Sequence, residues 1–227
     1  MWRIAQAGKQ SGKVFIRLYG QTQTIKSFFD IFPKTFPHGG PPKDSFKINL
    51  KQLQREYRQV QGQSHPDVVF GSSILSKNEG GKTKEDYSST VNKAYITLRS
   101  PYNRIAHIIK LNHPEHLDIT KETSNDLIAK YQANSPESAL EYKEMLMLVL
   151  EAHESLETAT LEEHLDDLKD ENDARIVQSE NVIDSLLKEP KIDWDTVTME
   201  AIKLKYWVNI QNGIKEWEPG KPVHLTH

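Results

Sequence analysis

Apolar residues recur at intervals of three and four in one segment after another, and this periodicity constrains the fold more than any other feature. No segment alternates apolar and polar residues as a strand would, and no internal repeat emerges. The sequence therefore predicts an all-α protein. We predict helices over these ranges: 25–32, 49–62, 84–99, Pro101 to the region before His113-Pro114, 136–157, 160–188 and 194–216.

Several of these predicted helices begin at residues that favour a helix N-terminus. Asn49 and Asp193 carry side-chain oxygens that can accept hydrogen bonds from the first free backbone N–H groups. Ser100 precedes a proline, which suits the first helical position. Thr160 followed by Glu163 has the spacing of a capping box. These signals predict where four of the helices start.

The composition excludes several classes of function. The chain has 227 residues, enough for one or two domains, and 27% of them are charged. Its mean hydropathy is −0.64, and no run approaches the ~18 apolar residues of a membrane span. The absence of cysteine excludes disulfides, thiolate metal sites and cysteine nucleophiles. His113 and His116 are three residues apart, but no further ligand motif accompanies them, so we predict no metal site and no cofactor.

The predicted helix 49–62 has two distinct faces. Its apolar positions are Leu50, Leu53, Tyr57 and Val60, whereas Lys51, Arg55 and Arg58 form a cationic stripe. Gly62 ends the helical pattern, and the following His65-Pro66-Asp67 forces an extended turn that exposes an imidazole and a carboxylate. A cationic stripe is often only a solvated face, and Asp67 can cap its own turn. A hydrolase using His65 and Asp67 needs a nucleophile and an orienting third group, and neither has a motif here.

Two helices of the C-terminal half carry more apolar residues than one core stripe uses. Between 142 and 156 the core stripe is Tyr142, Met145, Val149, Ala152 and Leu156, which leaves Leu146, Met147, Leu148 and Leu150 outside it. In the last helix the core stripe is Val197, Ala201, Leu204 and Val208, and Tyr206 points nearly opposite with Met199, Ile202 and Ile210. Such a surplus indicates either a protein contact or burial against the other domain. Periodicity alone does not decide between them.

A set of short motifs, in order along the chain, connects these features to a known family. They are Phe29-Asp30-Ile31-Phe32-Pro33, Arg55-Glu56-Tyr57-Arg58-Gln59, His65-Pro66-Asp67, Val91-Asn92-Lys93-Ala94-Tyr95 with Leu98 and Pro101, Leu204-Lys205-Tyr206-Trp207 and Trp217-Glu218-Pro219-Gly220-Lys221. From about Ser27 to the C-terminus the chain resembles the HscB-type J-proteins, the co-chaperones of iron–sulfur cluster biogenesis, and most of all their fungal mitochondrial members.

The resemblance implies an L-shaped molecule with two partners. A J-domain of four helices, residues 25–111, would be joined by a linker, 112–134, to a three-helix bundle, 135–227. The expected contacts with a DnaK-type heat-shock chaperone are His65, Pro66, Asp67, Arg55, Arg58 and Lys51. The expected contacts with the iron–sulfur cluster scaffold protein are Leu146, Leu150 and Tyr206, with Met145, Leu148 and Glu151 around them. The implied function is to bring the scaffold to the chaperone and to stimulate its ATPase, with no catalytic residue in this chain.

The N-terminal residues have a composition typical of a mitochondrial presequence. Residues 1–24 contain Arg3, Lys9, Lys13 and Arg17 and no acidic residue, so a short helix here would be amphipathic and basic. Arg17-Leu18-Tyr19 before Gly20 resembles a matrix-protease cleavage site. We therefore expect a presequence or disordered segment over 1–24 and a protein of the mitochondrial matrix. The alternative is a basic terminus without function.

A second interpretation of the whole chain stays open at this point. A general J-protein that delivers unfolded clients would use the C-terminal bundle as a dimerisation module, and the sequence does not decide whether the chain self-associates. The net charge of −3 gives no global attraction to nucleic acid. We therefore predict no nucleic-acid partner and no membrane partner.

Overall fold

A computed structural model of the protein describes residues 15–18, 21–24, 27–64, 84–121 and 124–221. Two short strands precede the helices: β1 (Phe15–Leu18) pairs antiparallel with β2 (Gln21–Thr24). The sequence analysis expects no strand and allows only a short helix here. Ile16 and the two threonines of β2 are β-branched, and two residues ending in a glycine connect the strands. That hairpin pattern outweighs the argument from charge composition.

From Ser27 onward, the described residues form helices and loops, which confirms the all-α prediction for the main body of the chain. The α-helices are α1 (Leu50–Ser64), α2 (Lys84–Arg99), α3 (Pro101–Asn112), α4 (Ser124–Asn134), α5 (Pro136–Thr158), α6 (Asp166–Leu186) and α7 (Trp194–Glu216). Short 3-10 helices span Phe29–Ile31 and Glu162–Leu165. Residues 25 and 26 of the first predicted helix, 25–32, lie outside the described residues, and the rest of it forms a single 3-10 turn.

Helix α4 lies in the segment that the sequence analysis treats as linker. Leu127 and Ile128 of this helix are half-buried and pack against the core. Leu127, Ile128 and Tyr131 have helical spacing, but a single turn of apolar residues is too short a signal to predict a helix by periodicity. The segment between the two units is therefore partly helical and rests on the C-terminal unit, where α4 contacts α5 and α7.

Three of the four predicted N-terminal caps are present. The Asn49 side chain accepts from the N–H of Gln52 (3.1 Å), the Ser100 side chain accepts from Asn103, and Asp193 accepts from Asp195 and Thr196. The capping box at Thr160 is wrong. The N–H of Thr160 donates to Nδ1 of His164, and a 3-10 helix without a side-chain cap precedes α6.

Four phenylalanines form the centre of the N-terminal unit. Phe29, Phe32, Phe36 and Phe46 are each at most 2% exposed. They pack with buried residues of the helices: Leu53, Val91, Ala94, Leu98, Ile105, Ile108 and Ile109. Gly40 has a φ of +94° and lies so close to the Phe29 ring that no Cβ fits there. The loop between the first 3-10 helix and α1 therefore contributes Phe36 and Phe46 to the core.

A buried histidine fixes the start of the described N-terminal unit. The backbone N–H of Phe28 donates to Nε2 of His107 (3.1 Å), and the two rings stack with centroids 4.5 Å apart. Burial, with a smaller effect from Lys110, lowers the pKa of His107 to about 4. The imidazole is therefore neutral at physiological pH, as its acceptor role requires.

Helix α7 is the central helix of the C-terminal unit, because it packs against α3, α4, α5 and α6. Met199, Ile202 and Ile210 are 5%, 2% and 0% exposed, so these three residues of the second apolar face are core, whereas Tyr206 on the same face is half-buried. Burial is thus the correct alternative for α7. Leu161 lies within the predicted helix 160–188, but it is 56% exposed and precedes the 3-10 turn that leads into α6.

A buried arginine joins the two units. Arg104 on α3 is 1% exposed, and its Nη2 donates to Oε1 of Glu180 on α6 (2.7 Å). Its Nη1 donates to the Leu98 carbonyl oxygen (2.8 Å), and the guanidinium carbon lies 4.6 Å from the centre of the Phe46 ring. Burial lowers the pKa of Arg104 to about 10, with Glu180 opposing that effect, so the side chain stays charged at neutral pH.

Further polar contacts from α6 lie beside this ion pair. Asp184 accepts from the backbone N–H of Phe46 (2.7 Å) and from Oγ of Ser45 (2.9 Å), and Lys47 donates to Asn181 (2.7 Å). Together with the α3–α7 packing, these contacts hold the units in the expected L-shaped arrangement. Within the part of the chain described, every helix is too short or too polar to cross a membrane.

Candidate binding surfaces

The first candidate surface is the basic face of α1, which consists of Lys51, Arg55 and Arg58. All three side chains are exposed. Their spacing of four and three places them on one side of the helix. None of them forms an ion pair within the described residues. The structure therefore brings together the cationic stripe that the sequence predicts.

The rest of α1 explains why this face is purely cationic. Glu56 is the single acid of the helix, and it is 4% exposed. Its carboxylate accepts from the backbone N–H groups of Lys34 (2.7 Å) and Thr35 (2.8 Å) and from the Thr35 hydroxyl (2.7 Å). The acid thus anchors the 33–36 turn and does not neutralise the neighbouring arginines.

An aromatic pair fixes the other side of α1. The Tyr57 ring stacks on Tyr95 of α2 with centroids 4.1 Å apart, and its hydroxyl donates to Oδ1 of Asn92 (2.7 Å). These contacts set the rotation of α1 about its axis, so that the basic face points away from α2. The aromatic and acidic residues of the Arg55–Gln59 motif therefore position its cations.

His65, Pro66 and Asp67 lie outside the described residues. Helix α1 ends at Ser64, directly before His65. The tripeptide therefore follows the C-terminal end of the basic face in the chain, as the sequence analysis expects, and its role stays a prediction.

The second candidate surface consists of Leu146, Leu150 and Tyr206, which we call the α5–α7 face. Leu150 is 63% exposed, whereas Leu146 and Tyr206 are half-buried and pack partly against the core. For α5 the surplus of apolar residues is therefore free surface at Met147 and Leu150 and half-buried at Leu146 and Leu148. An exposed apolar patch of this kind is typical of a protein-binding site.

Two further residues extend this surface, and the sequence analysis did not assign them to it. Met147 is 52% exposed and Leu140 is 57% exposed. Met147 lies three residues from Leu150 and seven from Leu140, so the three side chains form one stripe along α5. The helical spacing of Met147 and Leu150 is visible in the sequence, whereas Leu140 precedes the apolar core stripe that begins at Tyr142.

The three flanking residues of the predicted scaffold contact differ in position. Met145 is 4% exposed and belongs to the core, so its assignment to a contact surface is corrected. Leu148 is half-buried, and it lies about 200° around the helix from both Leu146 and Leu150, on the other side of the core stripe. Glu151 is exposed next to Leu150 and fits the rim of the surface.

Tyr206 has a hydrogen-bond partner that sequence reasoning missed. Its hydroxyl lies 3.2 Å from the hydroxyl of Tyr142 on α5. Burial and then the bond to Tyr206 raise the pKa of Tyr142. Beside this pair, Glu141 accepts from the Tyr131 hydroxyl (2.6 Å) and from Lys203. These pairs join residues that are up to 64 positions apart, so no local pattern could have revealed them.

The described residues contain no group of three or more potential ligands that could hold a metal ion. The two histidines noted in the sequence have other partners. Nδ1 of His113 accepts from the N–H of Glu115 (3.1 Å), and Nδ1 of His116 lies 3.1 Å from the carbonyl oxygen of Lys110. The two candidate surfaces offer exposed cations on α1 and apolar anchors on α5 and α7.

Comparison with known proteins places both units in one family. Residues 141–215 match a family model described as the HSCB C-terminal oligomerisation domain. The chain is 30% identical over 208 residues to the J-type co-chaperone JAC1, mitochondrial, of Saccharomyces cerevisiae, covering 91% of this chain and 97% of that protein. It is 26% identical over 171 residues to the iron-sulfur cluster co-chaperone protein HscB of Mus musculus, covering 75% of this chain and 63% of that protein.

Solved structures agree with these matches. The Jac1 co-chaperone from Saccharomyces cerevisiae has a TM-score of 0.61 at 29% identity, covering 88% of this chain and 98% of that one. Chaperone HscB from Vibrio cholerae, at 20% identity and a TM-score of 0.54 over 84% of this chain and 96% of that one, shares the fold. The chain therefore belongs to the HscB/Jac1 family of J-type co-chaperones of iron–sulfur cluster biogenesis.

Proposed function

We propose that this chain recruits the iron–sulfur cluster scaffold protein to a DnaK-type chaperone and stimulates the chaperone's ATPase. In this proposal the scaffold binds at the α5–α7 face, and the chaperone binds at the basic face of α1 together with His65, Pro66 and Asp67. The observation that carries the proposal is the exposed apolar stripe of Leu140, Met147 and Leu150 on the unit that matches the HscB C-terminal family. A pulldown of the scaffold protein by the full chain tests it, and failure of Leu150→Ala to weaken capture contradicts the site.

The charge distribution supports two partners whose binding surfaces carry charges of opposite sign. Residues 122–227 contain 10 lysines and arginines against 23 aspartates and glutamates, so the C-terminal unit is strongly acidic. The exposed side of α1 is cationic, as described above. Complementary potentials guide encounter and suppress wrong partners. We therefore expect basic residues around the scaffold's apolar pocket and acidic residues on the chaperone surface.

Reversing the charge of the basic face should slow association with the chaperone. We expect the double substitution Arg55→Glu and Arg58→Glu to reduce the association rate constant about ten-fold or more, because exposed charges act mainly through encounter. The wild-type rate should also fall as salt shortens the screening length to about 8 Å at physiological ionic strength. Stopped-flow association at two ionic strengths measures both effects.

A matched control separates a local from a global effect of charge. Lys169→Glu with Lys215→Glu changes the net charge by the same amount on two exposed residues of the C-terminal unit. This variant should keep most of the wild-type association rate. Equal slowing by the two double variants, or a wild-type rate independent of salt, would contradict a specific role for α1.

We further propose that the protein works in the mitochondrial matrix and that its N-terminal residues serve import. Support comes from relatives named as mitochondrial in two yeasts and from the acid-free composition of residues 1–24. We expect the mature N-terminus to lie near Gly20. Mass spectrometry of the protein from purified mitochondria checks this, and an intact Met1 on the matrix form would contradict it.

One observation favours self-association as a second candidate function of the C-terminal unit. The matched family model is described as an oligomerisation domain, and the stripe of Leu140, Met147 and Leu150 could also cover a second copy of the chain. Analytical ultracentrifugation of wild type and Leu150→Ala at increasing concentration distinguishes self-association through this stripe from its use as a scaffold-binding surface. A wild-type dimer that Leu150→Ala dissociates would favour self-association through this surface.

A further inference from the structure

We infer that Tyr142 is a positioning residue for the α5–α7 face, and that its hydroxyl holds Tyr206 in the orientation in which Tyr206 contacts the scaffold. This inference rests on the proposed function, because it concerns how that surface is prepared for its partner. Tyr142 itself is 8% exposed and is not offered as a contact residue.

The geometry joins the two helices that carry the anchors. Tyr142 lies one turn before Leu146 on α5, and its hydroxyl is 3.2 Å from that of Tyr206 on α7. Tyr206 is half-buried, so one part of its ring packs against the protein and another part is free for a partner. The bond therefore links the exposed aromatic anchor on α7 to the helix that carries the two leucine anchors.

The burial of Tyr142 gives this bond its directing effect. If the Tyr206 side chain turned towards solvent, the Tyr142 hydroxyl would lose this hydrogen bond at a partly buried position. A buried polar group without a partner is unfavourable, so the bond favours the Tyr206 conformer that lies alongside α5. An aromatic side chain that is already ordered loses less conformational entropy when a partner binds.

Neighbouring contacts hold the two helices at the spacing that this bond needs. Lys203 lies one turn before Tyr206 on α7, and it donates to Glu141, the residue that precedes Tyr142 on α5. Glu141 also accepts from Tyr131 of α4 (2.6 Å). The polar network therefore ties α4, α5 and α7 together at the level of the tyrosine pair, and Tyr142 is the most buried of its three tyrosines.

The test removes one oxygen atom and measures scaffold affinity. Tyr142→Phe keeps the ring, and we expect the full chain carrying it to bind the purified scaffold protein about 3- to 10-fold more weakly, the range expected for ordering one side chain. In a Tyr206→Phe background the same substitution should have no further effect, because the bond is already absent. A purely structural role would instead give the same loss in both backgrounds. Isothermal titration of the four proteins completes this cycle.

A control and a second variant make every outcome informative. Tyr102→Phe removes a hydroxyl that donates to the Ile119 carbonyl oxygen (2.9 Å) in the N-terminal unit, and it should leave scaffold affinity unchanged. If Leu150→Ala loses affinity but Tyr142→Phe binds as wild type does, the positioning role is wrong and the proposed site stands. If wild type and Leu150→Ala bind equally, the proposed site is wrong and the inference falls with it. An effect of Tyr142→Phe that persists in the Tyr206→Phe background also overturns the inference.

Discussion

Truncation of Leu146, Leu150 and Tyr206 together to alanine should lower the affinity for the scaffold protein by about two to four orders of magnitude. Interface anchors of this kind each contribute roughly 1–3 kcal/mol when truncated, and their effects are not fully additive. Leu150 is 63% exposed, so its truncation should remove contacts with the scaffold and cost little stability. Titration calorimetry with the purified scaffold measures the change.

The half-burial of Leu146 and Tyr206 means that the triple variant should also lose some stability. We expect a smaller loss than the ~2–5 kcal/mol of a large-to-small change in a full core, because both side chains are only partly buried. Leu161→Ala is the matched control, since Leu161 is 56% exposed and lies before α6. It should leave both affinity and melting temperature nearly unchanged. A folded triple variant that binds the scaffold at wild-type affinity would contradict the proposed site.

Removal of Glu180 should destabilise the protein by about 3 kcal/mol or more. The Glu180 side chain is 21% exposed, but its removal leaves the buried charge of Arg104 uncompensated, and such a loss typically costs about 3–5 kcal/mol. Arg104 is 1% exposed and charged at neutral pH, and its Nε already lacks a partner among the described residues. In a chain of this size the loss corresponds to a melting temperature lower by roughly 6 °C or more. Urea unfolding of Glu180→Ala measures the free energy directly.

The same helix supplies the control for this experiment. Glu171 pairs with Arg175 on the surface of α6, and the Glu171 side chain is 65% exposed. Glu171→Ala should therefore cost no more than about 0.5 kcal/mol. Combining Arg104→Met with Glu180→Leu should recover much of the loss, since an apolar pair often replaces a buried ion pair without penalty. Equal destabilisation by Glu171→Ala and Glu180→Ala would contradict the role assigned to Arg104.

Local signals predicted the helices well where the responsible residues are close in sequence. Asp193 caps α7 because its side chain lies within reach of the next two free N–H groups, and the sequence analysis starts that helix at the same residue. Thr160 has an equally good local pattern, yet its N–H is used by His164 and the cap does not form. A cap motif shows what a residue can do, and the surrounding turn decides whether it does so.

Long-range packing determined what the sequence could not. The second apolar face of α7 is buried because this helix has neighbours on several sides, and nothing within Met199, Ile202 or Ile210 distinguishes burial from a free surface. On α5 the same kind of surplus stays exposed at Leu150. Periodicity therefore identified residues beyond the first core stripe, but tertiary contacts decided which of them form a candidate site.

Buried polar residues were the least predictable feature. The buried charge of Arg104 is compensated by Glu180, which lies 76 positions away in the chain. An arginine on an otherwise apolar helix does not reveal which residue will pair with it. The pairing of Tyr142 with Tyr206 is equally non-local. In contrast, the basic face of α1 followed directly from the spacing of its three cations.

The ATPase rate of the partner DnaK-type chaperone tests the central claim most directly. It should be measured alone, with this protein, and with this protein and the scaffold together. We expect stimulation by the full chain and a further increase with the scaffold. We also expect a fall to the unstimulated rate when His65→Ala, Pro66→Ala and Asp67→Ala are combined, with circular dichroism unchanged. Two results would contradict the account: a chaperone that the wild-type chain does not stimulate, or one that the variant with alanines at 65, 66 and 67 stimulates as strongly as wild type does.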